Sequence, residues 1–435
     1  MPPGGADPLA DQYRAALAEA RDRTLSLVEA VSEHNLSRQH DRMMSPLVWD
    51  LGHIAAFEDL WLCQRVGRLD PLRPDLAGVY DAAETPRAVR GDVRHLAHRE
   101  VLDFLGEVRV RAMEVLDRTD LYAEGHDLRS GVFAWEMVVQ HEHQHSETML
   151  QTLTLAAPGV YSPPRPERPP APAGGPREIV RVEAGPFEMG DPGEGFAYDN
   201  ERPRHSVDVA AFEIDATPVT TGEFEAFVAD GGYERDELWS VDGLRWRFSE
   251  GIQRPLYWTA TRGERRFQAT EERDPALPVM HVSWFEADAF ARWRGARLPT
   301  EAEWEKAAAH DPATGESRRR PWGDGEATRE RANIDQLAFG PAPVGSLPAG
   351  ASAHGVLGMI GDCWEWTASP FGGYPGFEPF PYRAYSAVFF GDGYRVLRGG
   401  SWATRPSVAR NTFRNWDLPD RRQIFAGFRC ARDAS

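Results

Sequence analysis

The chain has 435 residues, a formal net charge of -18 and three cysteines. This length allows two or three domains, and 41% apolar with 27% charged residues is typical of a globular protein. The acidic balance excludes a protein that holds nucleic acid mainly by charge. Because Cys63, Cys363 and Cys430 are widely separated, the sequence predicts neither a disulfide framework nor a thiolate zinc knuckle.

Two further features bear on location. The N-terminus lacks a basic region followed by an apolar run, so it does not resemble a signal peptide. No uninterrupted apolar stretch is long enough to span a bilayer. We therefore expect a cytoplasmic protein without a membrane partner, and the sequence is compatible with a monomer.

Residues 1–157 are predicted to be helical. Apolar residues recur there at three- and four-residue spacing among strong helix formers. The predicted helices cover residues 10–32, 47–66, 93–118 and about 131–155. Ser45 and Pro46 indicate an N-cap and a first-turn proline for the second helix. Four such helices predict a four-helix bundle, a fold that builds metal sites from inward-facing side chains.

The composition changes after residue 157. Residues 158–177 are dominated by proline and glycine, which predicts a semi-rigid linker. Residues 178–435 are rich in glycine, aromatic residues and short strand patterns, and predict a single α+β domain with long loops. Helical patterns in this half lie near residues 220–229, 284–294 and 300–308.

The fourth helix contains HEHQH at residues 141–145. Residues four apart share one helix face, so His141 and His145 can bind one metal ion, whereas His143 is rotated away. His53, on an otherwise apolar surface of the second helix, is a good third ligand. Three imidazoles with open positions suit zinc or non-heme iron, and the absence of a zinc-type water-activation set favours iron and oxygen chemistry. The alternative is a solvated helix face that binds no metal.

The same letters match the His-Glu-x-x-His pattern of zinc peptidases, in which the glutamate, here Glu142, polarises water. The metzincin extension requires glycine at position 148 and histidine at position 151, where this sequence has Thr148 and Gln151. A downstream helical glutamate is the other possible third ligand, but the proline-rich segment lies there. A zinc metallopeptidase is therefore a remote alternative, and Glu142 and His143 are predicted to be structural or exposed.

The second half carries an ordered set of distinctive motifs. They include VEAGPFEMG, GMIGDCWEWT, LRGGSW and AGFRCA at residues 182–190, 358–367, 397–402 and 426–431. Together they resemble the formylglycine-generating or sulfatase-modifying domain, a variant of the C-type lectin fold. The enzyme that names this fold binds copper through a cysteine pair. The corresponding late segment here contains only Cys430, so copper-thiolate chemistry is not expected.

The first half resembles the DinB-like bundles through residues 44–61 and 141–150. A DinB-like bundle fused to a formylglycine-generating-like domain resembles the ergothioneine-biosynthesis sulfoxide synthases over nearly the whole chain. This resemblance implies an Fe(II) centre held by His53, His141 and His145, in a site between the domains. The implied reaction joins the sulfur of γ-glutamylcysteine to the imidazole ring of Nα-trimethylhistidine (hercynine), consuming O2 and giving a sulfoxide.

The resemblance also implies residues that bind hercynine. Gln144 is expected to contact the imidazole or its waters. Asn415 and Trp416, in FRNWD, are expected at the trimethylammonium group, because an indole face attracts a cation that cannot donate hydrogen bonds. Tyr382, in PFPYRAYS, matches the tyrosine that gives a proton to reduced oxygen, with Tyr374 and Tyr385 as alternatives.

Three residues are implied for the thiol substrate. Arg87 and Arg90, in TPRAVRGDV, are expected to bind its two carboxylates through their guanidinium groups. Asp417 is expected to pair with its ammonium group.

Other functions are also compatible with the sequence. Cysteine could replace γ-glutamylcysteine as the thiol donor. An ovothiol-type synthase joins cysteine and histidine directly, but such enzymes usually carry an additional methyltransferase domain, which this sequence lacks, and Arg87 and Arg90 favour the larger thiol. A non-catalytic binding protein is the alternative from another class, since lectin-like folds often bind ligands without reacting.

Overall fold

A computed structural model describes residues 7–123, 128–129, 131–172, 178–193, 195–267 and 269–434. The chain divides into two compact units, Met1–Ser162 and Pro163–Ser435. Part of the predicted linker, residues 173–177, lies outside the described residues. Within the ranges given above, no helix is both long and apolar enough to cross a membrane.

The first unit is helical. Its α-helices are α1 (Pro8–Val28), α2 (Glu33–Ser37), α3 (Leu47–Glu58), α4 (His98–Leu116) and α5 (Phe133–Leu155). α3 continues directly as a π-helix over Asp59–Val66. α1 packs against α5, and α3 packs against both α4 and α5. The four long helices confirm the predicted bundle, to which the structure adds the short α2.

The start of α3 differs from the prediction. α3 begins after Pro46, and no side chain caps it, so the N-cap role predicted for Ser45 is wrong. The hydroxyl of Ser45 instead accepts a hydrogen bond of 2.8 Å from Nη1 of Arg90. By contrast, Asp7 caps α1 by accepting from the backbone N–H of Leu9 at 3.0 Å.

The second unit combines sheets with short helices. Its first six strands are β1 (Ile179–Val182), β2 (Gly185–Met189), β3 (His205–Val209), β4 (Phe212–Asp215), β5 (Gly263–Arg266) and β6 (Ala269–Glu272). The remaining strands are β7 (Trp364–Phe371), β8 (Gly391–Arg398), β9 (Asn415–Asp417), β10 (Ala426–Gly427) and β11 (Ala431–Asp433). Strands β1, β4 and β11 form an antiparallel sheet, and β10, β7, β8 and β9 form a second sheet in that order. The pairs β2–β3 and β5–β6 are separate antiparallel ribbons.

The helices of the second unit are α6 (Thr221–Ala229), α7 (Val241–Glu250), α8 (Trp284–Trp293) and α9 (Glu301–Ala309). α6, α8 and α9 confirm the predicted helices, and each begins with a reciprocal Ser/Thr and Glu capping box. Sequence patterns do not predict α7, because Gly243 lies in its first turn while Val241 and Phe248 are exposed. These features obscure the three- and four-residue spacing of apolar residues from which helices are predicted.

One hydrophobic core of the second unit packs around Trp304 of α9. Phe187, Phe212 and Met359 belong to it, and so does Tyr374. Tyr374 is 7% exposed, and its ring lies 4.2 Å from the guanidinium carbon of Arg414. Tyr374 is therefore a core residue.

Candidate metal centre and substrate-binding residues

Three histidines from two helices meet in the first unit. His53 lies on α3, and His141 and His145 lie one turn apart on α5. One candidate ligand atom from each lies within 4.8 Å of the others, and Nε2 of His53 is 3.2 Å from Nε2 of His141. Across the described ranges, no other group of three His, Cys, Asp or Glu side chains is close enough to share a metal ion. The structure thus brings together the three residues predicted as ligands.

The protonation state of these imidazoles suits metal binding. Burial lowers the pKa of His53 and of His141 well below the usual 6.5, and the neighbouring His145 lowers both further. Both rings are therefore neutral at neutral pH, and a metal ion does not have to displace a proton from their lone pairs. Three imidazole nitrogen donors could hold a transition metal such as zinc or iron.

The ring of His53 is held in one orientation by a backbone contact. Its Nδ1 lies 2.7 Å from the carbonyl oxygen of Tyr80, so Nδ1–H donates and the lone pair of Nε2 faces the other histidines. Tyr80 can approach α3 because residue 52 is glycine: a Cβ on Gly52 would lie 2.2 Å from Cζ of Tyr80. Tyr80 was not predicted from the sequence, although a glycine inside a helix directly before a candidate ligand histidine was an available signal.

Aromatic rings cover two of the histidines. The ring of Phe57 stacks on that of His141, with centroids 3.6 Å apart, and Trp49 stacks on His53 at 5.1 Å. Nε1 of Trp49 donates a hydrogen bond of 2.8 Å to the carbonyl of Val79, which ties the loop before Tyr80 to α3. These contacts hold the imidazoles in an apolar setting that favours their neutral form.

Glu142 belongs to a buried ion network, and so the predicted structural role is confirmed. Its Oε1 accepts a hydrogen bond of 2.8 Å from Nε of Arg21, and its Oε2 lies 3.7 Å from Nη2 of Arg109. Both arginines also bind Glu58, at 2.7 and 2.6 Å. Glu142 is 1% exposed, and its two oxygens face arginines of other helices. A carboxylate neutralised in this way cannot serve as the water-polarising base of a peptidase.

Glu142→Gln is expected to destabilise the bundle without removing a bound metal. Removing one charge from a buried network leaves its partners uncompensated, which costs about 3 kcal/mol. Urea unfolding of the metal-free protein measures this loss, and metal analysis measures occupancy. Glu114→Gln, at an exposed position of α4, is the control and should change stability by less than about 0.5 kcal/mol. Metal loss at unchanged stability would instead place Glu142 in the metal site.

The two arginines predicted for the thiol substrate lie in different environments. Arg87 is exposed and opens the short helix Arg87–Val89. Arg90 is 5% exposed: its Nε donates to the carbonyl of Thr85 at 2.9 Å, and its Cζ lies 3.6 Å from the centroid of the Trp49 ring. Burial lowers the pKa of Arg90 to about 10. Arg90 therefore fastens its loop to α3, whereas Arg87 reaches solvent.

Gln144 and Trp416, both predicted to bind hercynine, lie on α5 and β9 respectively. Gln144 is half-buried on α5, between the two candidate metal ligands His141 and His145. Trp416 is half-buried in β9 and is surrounded by rings: Phe371 stacks on it at 4.2 Å, Phe389 lies at 5.6 Å, and Tyr385 meets it edge-on at 5.9 Å. An aromatic cluster of this kind is typical of sites for quaternary ammonium groups.

Asn415 and Asp417 flank Trp416 on β9. Oδ1 of Asn415 accepts a hydrogen bond of 2.9 Å from the backbone N–H of Trp416. Oδ1 of Asp417 accepts from the N–H of Leu418 at 2.8 Å and lies 3.7 Å from Nε of Arg421. These bonds fix how both side chains leave the strand.

The three candidate tyrosines are separated by their surroundings. Tyr374 is in the core, as described above. Tyr385 is stacked on Tyr198, with ring centroids 4.3 Å apart, and burial raises its pKa well above 10. Tyr382 is half-buried, and its ring meets that of Tyr385 edge-on, with centroids 6.3 Å apart. Because Tyr385 in turn contacts Trp416, Tyr382 is linked to Trp416 through Tyr385.

Both halves of the chain match known protein families. Residues 165–434 match the Sulfatase-modifying factor enzyme 1-like domain family, and residues 16–149 match the DinB superfamily, which confirms the predicted fold class of both halves. Hercynine oxygenase from Mycolicibacterium thermoresistibile is 48% identical over 97% of this chain and 95% of that protein. Hercynine oxygenase from Mycobacterium tuberculosis is also 48% identical, over 97% and 99% respectively. The formylglycine-generating enzyme of Streptomyces coelicolor is 36% identical over 61% of this chain and 93% of that protein.

Proposed function

Because this chain belongs to the hercynine oxygenase family, we propose that it joins the sulfur of γ-glutamylcysteine to the imidazole ring of hercynine. O2 is consumed, and the product is γ-glutamyl-hercynylcysteine sulfoxide, an intermediate of ergothioneine biosynthesis. The observation that carries the proposal is the cluster of His53, His141 and His145, whose candidate ligand atoms lie within 4.8 Å of one another.

Fe(II) is the metal we propose for these three histidines. When bound, Fe(II) supplies a redox centre that activates O2 and lowers the pKa of a thiol. Two observations support the fit. The rings of His53 and His141 are neutral because they are buried, and the carbonyl of Tyr80 fixes the tautomer of His53. A reducing cytoplasm, the expected compartment, suits both Fe(II) and a thiol substrate.

Trp416 is proposed to hold the trimethylammonium group of hercynine. A quaternary ammonium has no N–H to donate, so recognition depends on the negative faces of aromatic rings. Trp416 supplies an indole, and Tyr385 and Phe389 supply further rings within 6 Å of it. Asn415 is proposed to lie at the same end of hercynine, and the carboxamide of Gln144 is the proposed contact for the imidazole or its waters.

Trp416→Leu is expected to raise the KM for hercynine about tenfold, since a desolvated cation–π contact is worth about 1–2 kcal/mol. The KM for the thiol should change little. Trp416→Phe, which keeps an aromatic face, is the control and should show a smaller rise. Unmethylated histidine is the second probe: the preference for hercynine over histidine should shrink in Trp416→Leu. An unchanged preference would place the trimethylammonium group elsewhere.

Arg87 and Asp417 are proposed to bind the thiol. γ-Glutamylcysteine carries two carboxylates and one ammonium group at neutral pH. The exposed guanidinium of Arg87 can pair with a carboxylate through two hydrogen bonds, and Asp417 offers the opposite charge to the ammonium. The sequence assigns Arg90 to the same task, but the bonds described above support a role in holding the loop that carries Arg87.

The identity of the thiol is tested with the Fe(II)-loaded protein, hercynine and either γ-glutamylcysteine or cysteine. Mass spectrometry identifies the products, and kcat/KM is measured for each thiol. We expect γ-glutamylcysteine to be preferred at least about tenfold, because cysteine lacks one carboxylate to pair with arginine. Equal values of kcat/KM would assign the chain to a cysteine-dependent route with the same chemistry.

Tyr382 is the proposed proton donor. A phenol keeps its proton at neutral pH and can therefore give it to reduced oxygen in the reaction. Two observations support Tyr382 over the alternatives: Tyr374 is buried in the core, and the ring of Tyr385 is stacked on Tyr198.

A further inference from the structure

Asp50 is a buried carboxylate beside the histidine cluster. It lies on α3, three residues before His53, and is 0% exposed. Neither of its oxygens receives a hydrogen bond within the described residues, and Nδ1 of His145 is also buried without one. The two unpartnered groups face each other, with Oδ1 of Asp50 3.5 Å from Nδ1 of His145.

We infer that Asp50 is a positioning residue of the metal centre, which accepts the Nδ1 proton of His145 and directs Nε2 of that ring to the metal. A buried carboxylate needs a donor, and a buried imidazole Nδ1–H needs an acceptor, so each group supplies what the other lacks. A small movement of the ring turns the 3.5 Å approach into a hydrogen bond. The inference rests on the proposed function only in that it supposes a metal at the three histidines.

Asp50 would do for His145 what the carbonyl of Tyr80 does for His53. Each contact fixes the tautomer of one ligand, and a carboxylate additionally makes the imidazole a stronger donor. The two helices are then coupled at the site, because the carboxylate lies on α3 and the ligand that it orients lies on α5.

Arg90 is a further charged group near the histidine cluster, because its guanidinium lies over the ring of Trp49. The charge of Asp50 favours the protonated form of Arg90, against the effect of burial. The guanidinium of Arg90 also stacks on Trp49, and Trp49 stacks on His53 with an angle of 10° between the rings. Arg90 therefore packs against the aromatic neighbour of a second ligand.

The test measures metal binding by the full-length protein without turnover. Co(II) is titrated and followed by its visible absorption bands, and Fe(II) affinity is measured anaerobically by competition with a chelator. Asp50→Ala is expected to weaken both affinities about 10- to 100-fold and to shift the Co(II) bands. Asp50→Asn, whose amide oxygen still accepts, should give a smaller loss with the same direction of band shift. Arg90→Gln, which removes the guanidinium stacked on Trp49, should weaken binding by a few fold.

Asp59→Asn is the matched control. Asp59 is another buried carboxylate that directly follows α3, but it already has donors: Nη1 of Arg111 and Nε2 of Gln64 lie 2.8 Å from its two oxygens. It should lose stability and keep the affinity and spectrum of the parent protein. Parent-like affinity and spectrum in both Asp50 variants, with or without a lower melting temperature, would show that Asp50 is merely structural. Failure of the parent protein to bind either ion would overturn the proposed function as well. If Asp50→Ala does not fold, Asp50→Asn decides by its spectrum.

Discussion

His141→Ala is expected to lose bound iron and, with it, all measurable sulfoxide formation. His141 is central to the cluster, since its Nε2 lies 3.2 Å from that of His53 and its ring centroid lies 4.5 Å from that of His145. Changes next to a ligand already cost about 10- to 100-fold in metal affinity. Loss of a ligand should therefore cost at least about a hundredfold. Anaerobic metal analysis after dialysis and product formation are the two measurements.

His143→Gln is the matched control for this prediction. His143 lies on the same helix, two residues from His141, and is also buried, but it is not part of the cluster. It should retain iron and activity. The assignment of ligands would be contradicted if His141→Ala kept its iron, or if His143→Gln lost iron to the same extent.

Tyr382→Phe is also expected to cause a large loss of activity. Positioned general acids contribute about 10²- to 10⁴-fold to rate, so removal of the hydroxyl should lower the rate of sulfoxide formation by about a hundredfold or more. The KM for hercynine should stay within about threefold, because the ring that packs beside Tyr385 is retained. Product formation has to be measured directly, since O2 uptake alone does not report which product is made.

Two tyrosine variants separate the proton donor from its neighbours. Tyr385→Phe keeps the stacking on Tyr198 and should change kcat much less than Tyr382→Phe. Tyr374→Phe removes a buried hydroxyl from the core and should act on stability rather than on kcat. A large loss of kcat in Tyr385→Phe with none in Tyr382→Phe would transfer the role to Tyr385.

Local sequence patterns predicted much of the fold. The bundle follows from apolar spacing, and helical patterns near residues 220–229, 284–294 and 300–308 predicted α6, α8 and α9. The pairing of His141 with His145 follows from helical spacing alone. His53 could be proposed as their partner because a histidine on an apolar helix face needs an explanation.

Long-range contacts could not be predicted in the same way. Nothing local indicates that Ser45 binds Arg90 instead of capping α3, or that Tyr80 places its carbonyl 2.7 Å from His53. The sequence predicts only that Asp50 is a polar residue of a helix. Its burial against His145 is seen only in the structure of the bundle.

Glu142 shows that a residue within a matching motif need not have the catalytic role that the motif has in other proteins. In His-Glu-x-x-His the glutamate is catalytic only if its side chain shares the face of the metal site. Here it accepts a hydrogen bond from Arg21, 121 residues earlier in the chain, as part of a buried ion network. The motif thus supplies two candidate ligands and one structural anion.

O2 consumption by the anaerobically reconstituted Fe(II) protein tests the central claim most directly. Hercynine and γ-glutamylcysteine are supplied separately and together, and the product is identified by mass. We expect rapid O2 uptake only when both substrates are present, with one sulfoxide product formed per O2 consumed. If O2 uptake and a product of sulfoxide mass were absent with both substrates present, and also with cysteine as the thiol, the proposed function would be wrong.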